Sequence, residues 1–224
     1  MRFLSMMLVV TIALAAPVKA EPYDLRGFKL GMTLEEFKAF PFPDAEKHSG
    51  LHILCTGEPR AQDTSGAFHL DVTGAQAKTG LIRCKHFGPR RLHTMVVIQE
   101  VTLNVAGVQA FTDFEFLPAG DDSRDLRLFR INVHSNMMNW DQFWAAYMGK
   151  FGKPTVVENG VVQNAYGATF SKTVATWNNE ESRIVLEQRS SSLKTMKIMY
   201  VHDAMAMDYF ARLKRIEGNR ADKL

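Results

Sequence analysis

The chain has 224 residues, of which 46% are hydrophobic and 23% charged, with a formal net charge of +3 at pH 7. That length suits one domain or two small ones with a substantial core, and no low-complexity segment interrupts it. The near-neutral balance gives no basis for nucleic acid or an anionic membrane as the main partner.

The N-terminus reads as an export signal. Arg2 supplies a short positive region, Phe3 to Ala16 is apolar apart from Ser5 and Thr11, and Pro17 closes the run. Small residues, Val18 and Ala20, then precede a cut. Residues 1–20 are therefore expected to form a signal peptide cleaved after Ala20, leaving a periplasmic or secreted chain that starts at Glu21. The apolar run is shorter than the roughly 20 residues of a membrane span, and no later stretch is apolar enough to make one. Loss of Arg2 and Lys19 takes two charges from +3 and leaves about +1 on the mature chain.

The first helix is expected to start at Thr33, with Glu36 completing a capping box and Met32 stapling to Phe37. Pro41 and Pro43 keep it short. The segment His48–Cys55 follows, and its LHILC reads as a strand. AFHLDV is a strand signal with Phe68, Leu70 and Val72 on one side. The basic cluster Lys85–His93 reads as a solvated loop. Alternation then marks strands at Val101, Leu103 and Val105, at Phe114 and Phe116, and at Phe129, Ile131 and Val133. A second helix is expected to be capped by Asn139, with Gln142 at its third position and Met138 stapled to Phe143. Its stripe is Phe143, Tyr147, Met148 and Phe151, and Gly152 with Pro154 ends it. NAYGATF, TVATW, SRIVLEQR and LKTMKIMYV read as further strands, with NNEE as a turn. A third helix is expected over Asp203–Glu217, with Ala206, Tyr209, Phe210 and Leu213 on one face, followed by a flexible tail, residues 218–224.

The pattern predicts an α+β fold of antiparallel sheet with helices packed on one face. The two matching cap-and-staple starts suggest two related helix-plus-sheet halves, residues 21–135 and 136–217; the alternative is one continuous sheet. The pieces GFKLGMTLEEFKAF, FWAAYMGKFGKP and TVATWNN, with the two spaced cysteines, resemble a broad group of exported proteobacterial proteins of unknown function. Lys150, Phe151, Gly152 and Pro154 stand in that group's lysine-aromatic-glycine-x-proline segment. The arrangement is also similar to the modules of β-lactamase-inhibitor proteins and small outer-membrane assembly lipoproteins. The resemblance implies architecture more than activity. The lipoproteins' lipidated cysteine has no counterpart at Glu21.

The chain has two cysteines, Cys55 and Cys84. In an exported protein they are most simply one disulfide, which closes a loop of about 30 residues and contributes roughly 3–4 kcal/mol in the chain-entropy model. His48, His52 and Cys55 are the best metal candidates, but oxidation removes the thiolate and a strand does not bring the histidines together. Asp121, Ser123 and Asp125 open like a calcium loop, yet Leu126 and Asn132 replace its glycine and its bidentate glutamate. Ser191 and Lys194 match a serine-x-x-lysine spacing on a segment joining two strands, where they diverge. Glu35–Glu36 belong to a helix start, Glu180–Glu181 to a turn, and Asp113 with Glu115 are expected on a solvent face. Trp140, Trp144 and Trp177 are candidate binding anchors if exposed, although core packing is the more usual role.

With no catalytic constellation legible, the expectation is a non-catalytic, cofactor-free binding or interaction protein of the cell envelope, partnered by another envelope or exported protein. Two alternatives are an inhibitor-like protein that presents a concave sheet face with exposed aromatics to an exported enzyme, and a periplasmic hydrolase or metalloprotein whose histidines converge in a pocket.

Overall fold

The computed structural model describes residues 21–48, 50–58, 70–120 and 124–221. The expected signal peptide, Phe68, and the Asp121 and Ser123 of the calcium-like loop lie outside these residues.

The described chain opens with a small hairpin, β1 (Asp24–Leu25) and β2 (Phe28–Lys29). Its turn residues Arg26 and Gly27 both have positive φ, 52° and 93°, the geometry that two-residue hairpins favour. Helix α1 (Leu34–Ala39) follows with the expected capping box: the Glu36 amide donates to Thr33 Oγ1 at 3.0 Å, and the Thr33 amide to Glu36 Oε2 at 2.7 Å. A 3-10 turn (Ala45–Lys47) leads to β3 (His52–Cys55), helix α2 (Gly74–Lys78), β4 (Ile82–Leu92), β5 (Met95–Glu100), β6 (Leu103–Val105), β7 (Val108–Pro118) and β8 (Leu126–Asn136). A second 3-10 turn (Met137–Asn139) runs into α3 (Trp140–Phe151), then β9 (Val156–Gln163), β10 (Thr169–Asn178), β11 (Ser182–Glu187), β12 (Thr195–His202) and α4 (Asp203–Ala221).

The main sheet has ten strands in the path β3-β4-β7-β8-β12-β11-β10-β9, with β5 beside β4 and β6 beside β7. Every pairing is antiparallel. The strands after α1 and the strands after α3 therefore form one continuous sheet, joined where β8 meets β12.

Alternation separates the two faces. One face sends Phe114 and Phe116 of β7, Ile131 and Val133 of β8, Ile198 and Tyr200 of β12, and Ala175 and Trp177 of β10 into the main core. Phe37 of α1, Phe143 and Tyr147 of α3, and Leu25 and Phe28 of the hairpin seal that face. Each such aromatic contributes about 1.5–3 kcal/mol by leaving water. The Tyr147 and Tyr200 hydroxyls share a 2.6 Å hydrogen bond that satisfies both inside the core. Cys55 and Cys84, directly opposite on β3 and β4, form the disulfide on the same face.

Helices also occupy the other face, at one end. Ala206 and Tyr209 of α4 pack on Leu117, Phe129 and Val201, joined by Val72 and Leu81 from the segments flanking α2. Sequence periodicity finds the apolar stripe of a helix but does not say which side of a sheet it takes.

Several local expectations are corrected. Asn139 makes no side-chain cap; Asn136 caps the preceding 3-10 turn by accepting from the Met138 amide. Asn139 and Gln142 bond instead to Ser135 Oγ and the Ala106 carbonyl. Met138 is 91% exposed, so it staples nothing. Lys85–His93 is not a loop, since β4 continues through Leu92 paired with β5. Leu70 and Val72 are buried but outside any strand. Tyr166 lies in a turn rather than a strand, and Phe210 is 55% exposed. Helix α4 continues through Gly218 to Ala221, beyond its expected end at Glu217. Helix α2 and strand β9 had no sequence forecast.

Candidate functional site

Among the described residues, the face of the sheet away from α1 and α3 is covered by α4 at one end and closed at β3 and β4 by Leu54, Leu70 and Phe87, while the part formed by β8, β12, β11 and β10 beyond α4 carries no helix. The pairing register arranges its side chains in rows. Nearest α4, Arg83, Glu115, Arg130, Val201 and Arg183 face one another on successive strands. The next row holds Asp113, Asn132, Met199, Val185 and Thr176. The outer row holds Phe111, His134, Lys197, Glu187 and Val174.

Asp113 and Glu115 do alternate away from Phe114 and Phe116, as expected, but they do not face solvent: their relative exposures are 6% and 1%. Glu115 sits between two guanidinium groups. Arg83 reaches Glu115 Oε1 through Nη2 at 2.8 Å and Nε at 3.1 Å, while Arg130 Nε bonds Oε2. The Arg130 guanidinium also lies over the rings of Phe129 and Tyr209, at 5.1 and 5.6 Å. The aromatic ring from α4 thus helps to bury this Arg-Glu-Arg row. A buried carboxylate is tolerable only when paired and hydrogen-bonded, and here both oxygens are occupied.

Asp113 accepts from Asn132 Nδ2 at 2.7 Å and lies 3.1 Å from His134 Nε2. Burial alone would raise its carboxyl, but the bonds to His134 and Asn132, with the nearby charges of His134 and Lys85, hold it below the usual carboxylate value. Glu100 shows the opposite balance. Burial raises it despite the 3.0 Å pair with Lys85, and its Oε1 has no partner among the described residues. Burial, then the neighbouring Arg130, lowers the Lys197 ammonium.

The Asp113–His134 pair is the arrangement that orients an imidazole for proton transfer. Among the described residues, Asp113 is His134's only hydrogen-bond partner, so no serine, threonine or cysteine stands ready as a nucleophile.

The sequence-selected residues lie elsewhere. Trp177 is 2% exposed in the main core, where its indole N–H donates to the Gly152 carbonyl at 2.9 Å and ties β10 to the end of α3. Trp140 and Trp144 stack on each other at 5.6 Å and are partly buried against that core. All three belong to the covered side. His48 and His52 do not converge: His52 lines a cavity of about 740 Å³ with Phe40, Phe42, Leu54 and His86, and His48 a separate one of about 490 Å³. Cys55 is oxidised, and among the described residues no group of His, Cys, Asp and Glu side chains is arranged to hold a metal ion. Ser191 and Lys194 fall between β11 and β12, where Ser191 bonds Thr195 instead.

One histidine escaped the sequence reading. His86 is 3% exposed, set among Phe28, Phe37, Phe42 and Phe114, with no hydrogen-bond partner among the described residues for either ring nitrogen. Burial pushes its pKa down to about 4, so it is neutral at pH 7. The cross-strand opposition of Arg83, Glu115 and Arg130 was in principle readable as alternating charge on three strands, but only after their register is known. Among the described residues, no helix is long and apolar enough to cross a membrane. No protein-family model, curated protein or solved structure matches this chain.

Proposed function

We propose that this chain is an exported, non-catalytic binding protein of the cell envelope that holds a protein partner against the open face of its sheet. The observation that carries this reading is the asymmetry of the sheet. One face is sealed along its length by α1, α3 and the β1–β2 hairpin, whereas the other, among the described residues, is covered near Leu117, Phe129 and Val201 and near Leu54, Leu70 and Phe87, and carries no helix between them and β10. The uncovered part mixes apolar Phe111, Val174 and Val185 with charged side chains, a composition typical of a non-obligate interface. The disulfide fits an oxidising compartment, and residues 1–20 supply the export signal.

The test is photo-crosslinking in the cell envelope. A photoreactive residue at Thr176, on the open face, is expected to capture a protein. One at Glu35, on α1 and away from that face, is not. Equal capture from both positions, or none from Thr176, overturns the reading. An inhibitor-like role is the narrower version, in which the captured protein is an exported enzyme whose activity falls on adding the purified chain.

The Asp113–His134 pair favours a second reading, a hydrolase that activates water. It predicts a bell-shaped or sigmoidal pH–rate profile that disappears in H134Q. Survival of any hydrolytic activity in H134Q removes that reading.

A further inference from the structure

The charged side chains of the open face are mostly neutralised by one another. Arg83 and Arg130 share Glu115, Lys85 pairs with Glu100, Lys172 with Glu187, and Arg183 with Asp203. Among the described residues, two cations of this face have no carboxylate partner, Lys197 and Arg189. Lys197 stands in the outer row between His134 and Glu187, and Glu187 is already engaged by Lys172 at 2.5 Å. Arg189 lies just past the end of β11, its guanidinium 5.6 Å from the ring of Phe170 on the open side of β10. Its Nε and Nη1 are buried without an acceptor among the described residues.

Arg189 carries a fixed positive charge, and its Nη2, unlike the enclosed Nε and Nη1, is left to donate to a carboxylate. Lys197 adds a second positive charge on the same face, on a half-buried side chain. The apolar residues interleaved with these cations, Phe111 and Val174, fit hydrophobic side chains better than a bare inorganic anion.

We infer that the partner segment received by the open face is acidic, an extended stretch of protein whose carboxylates pair with Lys197 and Arg189 while its apolar side chains rest on the adjoining sheet. This rests on the open face being the docking face. Electrostatic complementarity of this kind sets specificity and association rate and weakens with salt.

The test uses the full mature chain and a labelled alternating leucine–glutamate peptide, with the leucine–glutamine peptide as its neutral counterpart, followed by fluorescence anisotropy. The glutamate peptide is expected to bind at low salt and to weaken as salt rises, and the glutamine peptide to bind far less. K197M and R189M are each expected to weaken binding by about tenfold, the scale of one charge-assisted contact. K197R keeps the charge and is expected to bind like the parent chain, as is K153M, which removes an exposed lysine just past α3. No saturable binding of the glutamate peptide, equal binding of the two peptides, or indifference to K197M and R189M overturns the inference. Crosslinking from Thr176 separates the two levels of failure. Capture that persists undiminished in the K197M/R189M double variant keeps the docking face and rejects the acidic partner. Absence of capture from Thr176 rejects the docking face itself.

Discussion

The two faces of the sheet are built from the same alternating strands and do opposite work. On the covered face β7 presents Phe114 and Phe116, both fully buried under α1 and the hairpin. On the open face the same strand presents Phe111, 49% exposed, then Asp113 and Glu115, which are buried by each other's neighbours and by Tyr209 rather than by a full helix layer. The covered face is held by apolar transfer and close packing, the open one by charge pairing. A face closed by charge pairing stays compatible with a polar partner, whereas a face closed by packing does not.

The sharpest way to break this contrast is to cut into each face. F114A removes a fully buried ring shared by the Phe28, Phe37 and His86 cluster. It is expected to cost about 3–5 kcal/mol in urea denaturation, as large-to-small core changes do. E115A takes from Arg130 its carboxylate partner and leaves Arg83 only the longer 3.8 Å pair with Asp113, at an expected cost of about 3 kcal/mol. Replacing Arg83, Glu115 and Arg130 by Met, Leu and Met is expected to recover most of that loss. If E115A is neutral, charge pairing does not hold the open face.

A pH titration separates the faces without mutation. His86 on the covered face titrates lower when folded, at about 4, than its ordinary 6.5. Between those values the unfolded chain binds more protons, so stability is complete above about pH 6.5 and falls as the pH drops toward 4, by up to about 3 kcal/mol. H86F is expected to flatten that limb of the stability curve. Asp113 is also held below its ordinary 3.8, so its contribution is lost only at still lower pH and remains in H86F. A smaller effect is expected from T33A, which removes the capping box of α1 and costs about 1 kcal/mol by thermal denaturation. The smallest is F111S on the open face, expected to stay within about 0.5 kcal/mol in stability while reducing capture of a partner from Thr176.

Much of the fold was legible because it is written in short-range chemistry. Thr33 and Glu36 cap α1 through contacts three residues apart, Gly152 ends α3 with φ at 74°, and a lone pair of cysteines has only each other. Strand β9 was missed because Val156–Gln163 is exposed along nearly its whole length, and without a buried side its valines show no useful alternation. Lys85–His93 looked like a loop because its charges outweigh its apolar residues, yet Lys85 is paired and His86 buried. The candidate site was less legible than the fold. The tryptophans drew attention as large and scarce, and Trp177 turned out to be core. The residues that shape the open face are ordinary charged residues from β4, β7, β8 and β12.

What the amino-acid order determined by itself was the α+β class, the antiparallel alternation, the disulfide pair and the side of β7 on which Asp113 and Glu115 would lie. Only the tertiary structure decided that β8 meets β12 to make one sheet, that α4 closes one end of the second face, and that Lys197 and Arg189 are left without carboxylates among the described residues. Period and capping are properties of neighbours a few residues apart, whereas register, coverage and ion pairing depend on strands distant in the chain, as where β8 and β12 place His134 opposite Lys197.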